Sequence, residues 1–303
     1  MTKIPFNKPP LTFEAQVNKL LDKGLIISNK KHAEHVLSIV NYYHLKSYLT
    51  FFQKEDRFIN TRFEDVINLY LFDRELRGIV FDAIEVFEIA FRTRFCNIIC
   101  LKYDTAFPHL DEKIFGSNSK QTNKHKDLLD SLKRELQHSK DKFIELYKKQ
   151  YRNEIPPLWL AVELMSFGEL SKWYNLLRDF EDKALVANSF GLRPASFKTL
   201  LLNLTNMRNF SAHHSRLWNR TLFSPIQIAP SVEIHSYINS NEESQNRIYN
   251  TLVLLLYVMD LLESEYTKNL KLALIEIIHK YNPKTDFMGF PNNWQTMSLW
   301  QTK

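Results

Sequence analysis

Apolar residues recur every three or four positions through most of this chain, the spacing that lines one face of an α-helix. Lys30 to Val40 places them at Ala33, Val36, Leu37 and Val40. From Phe63 to Leu101 the repeat runs through Leu69, Phe72, Leu76, Ile79, Val80, Ala83, Ile84, Phe87, Phe91 and Phe95. That spacing predicts one long helix, weakened locally at Gly78. Ahead of it, Thr12 can cap a helix to about Asp22, and Gly24 stands where a helix end wants a left-handed residue. Asn41-Tyr42-Tyr43-His44-Leu45 reads as an aromatic corner leading to Leu49-Thr50-Phe51-Phe52. These short pieces predict a small N-terminal helical lobe, residues 1–60, ahead of a helical core, residues 61–303.

The core continues in the same manner. Residues 102–123 read as loop, and a basic helical segment over 119–152 ends at Pro156-Pro157. Helices follow from Leu158-Trp159 to about Gly168 and from Glu169 through Arg178. Pro194 fits the first turn of a helix that leads into Arg208. Residues 224–240 read as irregular, and Asn246 to Lys280 as one long amphipathic helix. The aromatic tail from Met288 to Trp300 is expected to dock on the body. The fold class is therefore all-α.

Composition narrows the function. The chain has 303 residues, 44% of them apolar, with only 6 glycines against 22 Phe and 13 Tyr. Neither GxGxxG nor GxxxxGK[ST] occurs, which argues against a dinucleotide or P-loop site. The net charge is +6. Most of that excess is local, because residues 119–152 hold ten Lys/Arg, among them Lys124, Lys126, Lys133 and Arg134, against five Asp/Glu. Such a surface suits a polyanion such as RNA, and it also suits an ordinary solvated helix face.

Cys96 and Cys100 lie four apart in a helical pattern and read as small core residues, since no second Cys/His pair completes a zinc set. No metal and no cofactor is expected. His32, His35, His109 and His125 read as surface residues. The N-terminus lacks an apolar signal core. The longest apolar run, Leu252 to Leu262, is too short to span a bilayer. Two thiols in a chain of this length fit a reducing compartment, so a cytoplasmic protein is expected.

The densest chemistry lies in residues 207–220, Met207-Arg208-Asn209-Phe210-Ser211-Ala212-His213-His214-Ser215-Arg216-Leu217-Trp218-Asn219-Arg220. Histidine carries protons near neutral pH, and arginine offers a fixed charge in a fork that matches phosphate. Asn209 and His213 share a helical face, with Arg208 at its flank. RNA needs no metal to break if its 2′-hydroxyl attacks the adjacent phosphate while a His moves the proton and an Arg meets the phosphoryl charge. One His is thin for both acid and base work, and two copies in a homodimer would supply two. The competing reading is that Arg208 and His213 are structural polar residues at a helix end. His214, Arg216 and Trp218 read as support, through packing, orientation or RNA contact. Glu85, Glu88 and Arg92, at three- and four-residue steps, are either an intrahelical ion pair or a polar patch facing the His cluster.

Arg208-Asn209-Phe210-Ser211-Ala212-His213 resembles the Arg-polar-x-x-x-His motif of HEPN-domain ribonucleases. The chain as a whole resembles the Abi-like (AbiD/AbiF) abortive-infection proteins. The likeness rests on Ile39-Val40-Asn41-Tyr42-Tyr43-His44-Leu45, on Phe72-Asp73-Arg74-Glu75-Leu76-Arg77 and on Ala83-Ile84-Glu85-Val86-Phe87-Glu88. It continues through Pro156-Pro157-Leu158-Trp159, Ser166-Phe167-Gly168-Glu169-Leu170-Ser171, the Arg208–Trp218 block and the closing Gly289-Phe290-Pro291 with Trp294. The resemblance implies a HEPN-type helical bundle and metal-independent RNA cleavage in phage defence or toxin–antitoxin control. It implies Arg208 and His213 as the catalytic pair with Asn209 beside them and, for some members, a small non-coding RNA partner. Two rivals remain: a non-catalytic protein that grips a regulatory RNA, and a DNA-binding regulator using the N-terminal lobe.

Overall fold

The structure, a computed structural model, describes Pro5, Asn7 and residues 9–116, 118–228 and 233–301. Among these lie twelve α-helices and one two-stranded hairpin, so the fold is all-α. The chain forms two compact units. One is Met1–Leu76 with Ile277–Pro283, and the other is Arg77–Glu276 with Lys284–Lys303.

In the first unit, α1 (Phe13–Asp22) starts on Thr12, whose hydroxyl accepts from the Ala15 amide at 3.1 Å. It ends where Leu25 N–H reaches the Leu20 carbonyl and Gly24 N–H the Leu21 carbonyl. Gly24 (φ +91°) is required there, since a Cβ would lie 2.9 Å from the Phe58 carbonyl oxygen. α2 (Lys30–Ile39) follows an Asn29 cap. The expected aromatic corner is instead α3 (Tyr42–Leu49), because the Asn41 side chain accepts from Tyr43 N–H and starts a new helix. Val17, Leu20, Leu37, Leu45 and Tyr48 form the core, and the buried Tyr48 hydroxyl donates to Asp73 at 2.6 Å.

A hairpin that the pattern did not predict joins β1 (Gln53–Lys54) to β2 (Arg57–Phe58). Its turn residues, Glu55 and Asp56, both have positive φ (51° and 60°). That turn usually recruits Asn-Gly, so its presence is invisible in Glu-Asp.

The long repeat is α4 (Phe63–Tyr103), 41 residues in one helix. In the second unit its Phe87, Phe91 and Phe95 enter an aromatic core. They meet Phe167 and Tyr174 of α8 (Phe167–Leu176), Phe190, and Phe197 of α10 (Pro194–Ala212). Phe197 lies 5.4 Å from Phe91, 5.1 Å from Tyr174 and 5.0 Å from Phe190, centroid to centroid. Such offset and edge-on pairs stabilise beyond the area they bury.

The basic stretch is two helices rather than one, α5 (Ser119–His138) and α6 (Lys142–Gln150). Ser139 and Asp141 between them are extended, and the Ser139 hydroxyl donates to the Asp141 carboxylate at 3.0 Å. This local alternative to helix is one that Ser and Asp favour. α7 (Leu158–Leu164) precedes α8, and α9 (Phe180–Asn188) follows it.

The expected helix over 246–280 is also two, α11 (Ile248–Leu262) and α12 (Ser264–Tyr281), separated by extended Glu263 (φ −155°). The surroundings change at that point. α11 is buried on nearly every side up to Met259, as a predominantly apolar helix must be, whereas α12 alternates buried and exposed positions. The polar residues of α11 are satisfied: Asn250 exchanges two hydrogen bonds with the Asn239 backbone, and Thr251 accepts from Asn203. The tail docks as expected, with Phe290, Trp294 and Trp300 buried around Tyr249.

Two histidines expected at the surface are fully buried. His125 occupies the apolar stripe of α5 with Leu128, Leu132 and Leu136. Its ring stacks on Phe115 and meets Trp173 edge-on, and its Nε2–H donates to the His109 carbonyl at 2.7 Å. His109 packs edge-on to Trp173, and neither of its ring nitrogens makes a hydrogen bond. Burial pushes the His109 ring down to about 4, against a weaker upward pull from the Pro156 carbonyl, which lies outside ordinary hydrogen-bond geometry. Cys96 is buried and Cys100 half-buried. Burial pushes both thiols up, Cys100 to about 11, so both remain protonated and unreactive. Among the described residues no helix is long and apolar enough to cross a membrane.

Candidate functional site

α10 carries the candidate chemistry at its C-terminal end. Pro194 opens the helix with no amide to leave unsatisfied. Phe197, Leu200, Leu201, Leu204, Met207 and Ser211 form its buried stripe. That stripe fixes the helix rotation and leaves Asn209 and His213 exposed, with Arg208 half-buried at the edge.

The helix ends in a closed turn. His213 is the capping residue (φ −91°, ψ 12°), and its amide reaches the Asn209 carbonyl at 3.0 Å, so its Cβ stays in register with Asn209. His214 is left-handed (φ +56°). Its amide donates to Ser211 O, and Ser215 N–H to Phe210 O, the paired bonds of a Schellman motif. The motif commonly places glycine where His214 stands, and histidine is among the few other residues that tolerate it.

The Arg208 guanidinium lies over the Phe81 ring of α4, 5.9 Å from its centroid. A cation on an aromatic face keeps its charge while losing freedom. Among the described residues neither Asn209 nor His213 engages its side chain in a hydrogen bond. The arrangement is one cation seated on an aromatic ring and, five residues on, an imidazole open to a ligand, on a surface rather than in a cavity.

Trp218, Asn219 and Arg220 are built into the scaffold. Trp218 is fully buried, donates to the Lys284 carbonyl at 3.3 Å and packs against Phe287, so it is not available to stack on RNA. Arg220 lies over the Phe210 ring at 4.1 Å. Asn219 (φ +55°) accepts two hydrogen bonds from Arg247. His214 is exposed and Arg216 half-buried.

Arg92 is engaged elsewhere. It pairs with buried Glu88 at 2.5 Å and donates to the carbonyls of Val162 and Met165 at the end of α7. The ion-pair reading of those two residues is therefore the one seen. Glu85 is exposed near Tyr266, whose phenol is pushed up by burial first and then by Asp82 and Glu85.

The basic residues of α5 divide between two faces. Lys124 and Arg134 join Lys172 of α8 along a groove of about 520 Å3 that also holds Asp127 and Glu169. Burial pushes the Glu169 carboxyl up, but hydrogen bonds from Ser131 and Ser166 with help from Lys172 prevail and hold it below the usual range. Lys133 lies 3.6 Å from Glu154, and Lys126 is exposed. Lys172 was missed in the sequence because it lies outside the basic run and joins the groove only through the contact of α5 with α8. Among the described residues no group of three or more His, Cys, Asp or Glu side chains is placed to hold a metal ion.

Fold and site together define an all-α protein that presents an arginine, an asparagine and a histidine on an open helix end. The chain belongs to the Abi-like protein family, whose model matches residues 35–219, more than half its length. The matched span closes at Asn219, so it contains the whole of Arg208 to Trp218. Membership associates the chain with abortive infection, a defence against phage. No curated protein and no solved structure matches it.

Proposed function

We propose that the chain is a metal-independent endoribonuclease of the HEPN type, acting in phage defence or as a toxin, whose complete site forms in a homodimer. His213 takes the proton of a 2′-hydroxyl, whose oxygen attacks the adjacent phosphorus. The bond from phosphorus to the 5′-oxygen breaks, and that oxygen receives a proton from the same histidine of a second copy. The products are a 2′,3′-cyclic phosphate and a 5′-hydroxyl. Arg208 meets the charge that develops on the phosphoryl oxygens, and Asn209 orients the imidazole or the phosphate beside it.

The observation that carries this reading is the exposure of Asn209 and His213 on one face of α10, with Arg208 at its flank and its guanidinium over the Phe81 ring. An open half-site suits completion by a second chain. The test is incubation of the purified protein with RNA in EDTA. Loss of proton transfer in His213→Ala is expected to slow cleavage by roughly a hundredfold or more, and wild-type products should end in cyclic phosphate. Equal cleavage by wild type and His213→Ala would sink the assignment.

The basic groove of Lys124, Arg134 and Lys172 favours a second reading, a protein that grips a regulatory RNA without cutting it. Steeply salt-dependent binding with no product under any condition would establish that instead.

A further inference from the structure

The first unit carries a surface that the reading above does not use. Two hollows of about 500 and 190 Å3 share Lys19, Tyr42 and Tyr43 as lining. The larger is walled by Phe13 and the Pro9-Pro10 arm, and the smaller adds Lys23, Lys46 and Asp56. Tyr43 is 65% exposed and Phe13 46%, while Tyr42 stands edge-on to Tyr43 at 5.9 Å. Each tyrosine has an ammonium beside it. Lys46 Nζ lies 5.8 Å from the Tyr43 centroid, and Lys19 Nζ lies 6.0 Å from that of Tyr42.

The charge here is lopsided. Lys19, Lys23 and Lys46 gather around one carboxylate, Asp56, which the left-handed turn of the hairpin delivers to them. Lys23 pairs with it at 2.6 Å and depresses its carboxyl most, with Lys46 and Lys19 adding to the effect. Among the described residues lining the two hollows, three cations thus face one anion.

We propose that this surface binds an unpaired polynucleotide strand, with a base stacked on Tyr43 and its flanking phosphates held by Lys19 and Lys46. Exposed ring faces are of no use to a duplex, whose bases are already stacked, whereas every unpaired base has a face to offer. The alternation of flat ring and cation matches the alternation of base and phosphate along a strand. An acidic peptide would use the lysines but not the rings.

The test measures binding of a labelled single-stranded 2′-O-methyl oligonucleotide to the full-length protein. That strand cannot attack its own phosphates, so binding is read whether or not the chain cuts RNA. Tyr43→Ala and Tyr43→Leu are each expected to weaken binding roughly tenfold, and Tyr43→Trp to retain it. Lys19→Ala with Lys46→Ala is expected to lower the slope of log affinity against log salt by roughly 1.4. Because Tyr43, Lys19 and Lys46 are exposed, the variants should melt with the wild type. Unchanged affinity in Tyr43→Ala, duplex binding as tight as single-strand binding, or an acidic peptide held through the same lysines while the strand is not, would each overturn the proposal.

Discussion

Acidification should cost this protein stability at one buried residue, His109. Its ring is fully buried between Phe107 and Trp173, with no hydrogen bond to either nitrogen, and titrates near 4 instead of 6.5. For a base whose folded value lies below its unfolded one, the stabilisation is complete above pH 6.5 and is lost as pH falls through about 4. Each pH unit of that interval corresponds to about 1.4 kcal/mol, so the full loss is about 3 kcal/mol, of which about 2 kcal/mol is gone by pH 5. His109→Leu removes the titration without stranding a partner, because the ring has none and the carbonyl that His125 uses belongs to the backbone. Urea unfolding of both proteins at pH 8 and pH 5, followed by the near-ultraviolet signal of the tryptophans, isolates the effect, since every other titrating group is common to the two. Wild type should lose about 2 kcal/mol more than His109→Leu between those pH values. Parallel losses would refute the account of His109 as a buried neutral ring.

Two further outcomes follow from the α10 terminus. Because His214 is left-handed, His214→Gly should be more stable than His214→Ala by about 1 kcal/mol, or about 2–4 °C in melting temperature. Equal melting would show that the turn does not depend on that conformation. Trp218→Ala should destabilise the fold by about 3–5 kcal/mol, whereas Trp218→Phe should fold and leave any RNA binding or cleavage at the wild-type level. A folded Trp218→Phe that no longer binds RNA would overturn the packing role.

The helical character was legible because apolar spacing reports directly on which face is buried: α4 follows from it, and Pro194 marks the start of α10. What stayed hidden depended on contacts or dihedrals that spacing does not encode. The Glu55-Asp56 turn lacks the glycine or asparagine that would announce it, and His214 likewise ends α10 without one. The break at Glu263 reflects where enclosure ends, which is a property of neighbours rather than of α11 and α12 themselves. His125 could have been found, because it stands three before Leu128 on the stripe that continues to Leu132 and Leu136. His109 carries no such signal, since its burial comes from Trp173, far along the chain. At the candidate site spacing left a structural reading of Arg208 and His213 open and only the family resemblance singled them out with Asn209, while the seat of Arg208 on Phe81 and the enclosure of Trp218 required the fold.

Both compact units take their last pieces from beyond residue 276: residues 277–283 complete one, and the other receives Phe290, Trp294 and Trp300 around Tyr249. α10 packs on α11, which follows it by more than thirty residues. On a ribosome adding about 5–20 residues each second, neither unit can close until the segments beyond residue 276 have been made. A nascent or prematurely ended chain would display Arg208, Asn209 and His213 on a helix without its supports. The proposed activity would therefore be absent until those segments have left the ribosome, and synthesis interrupted before them would leave an inert fragment.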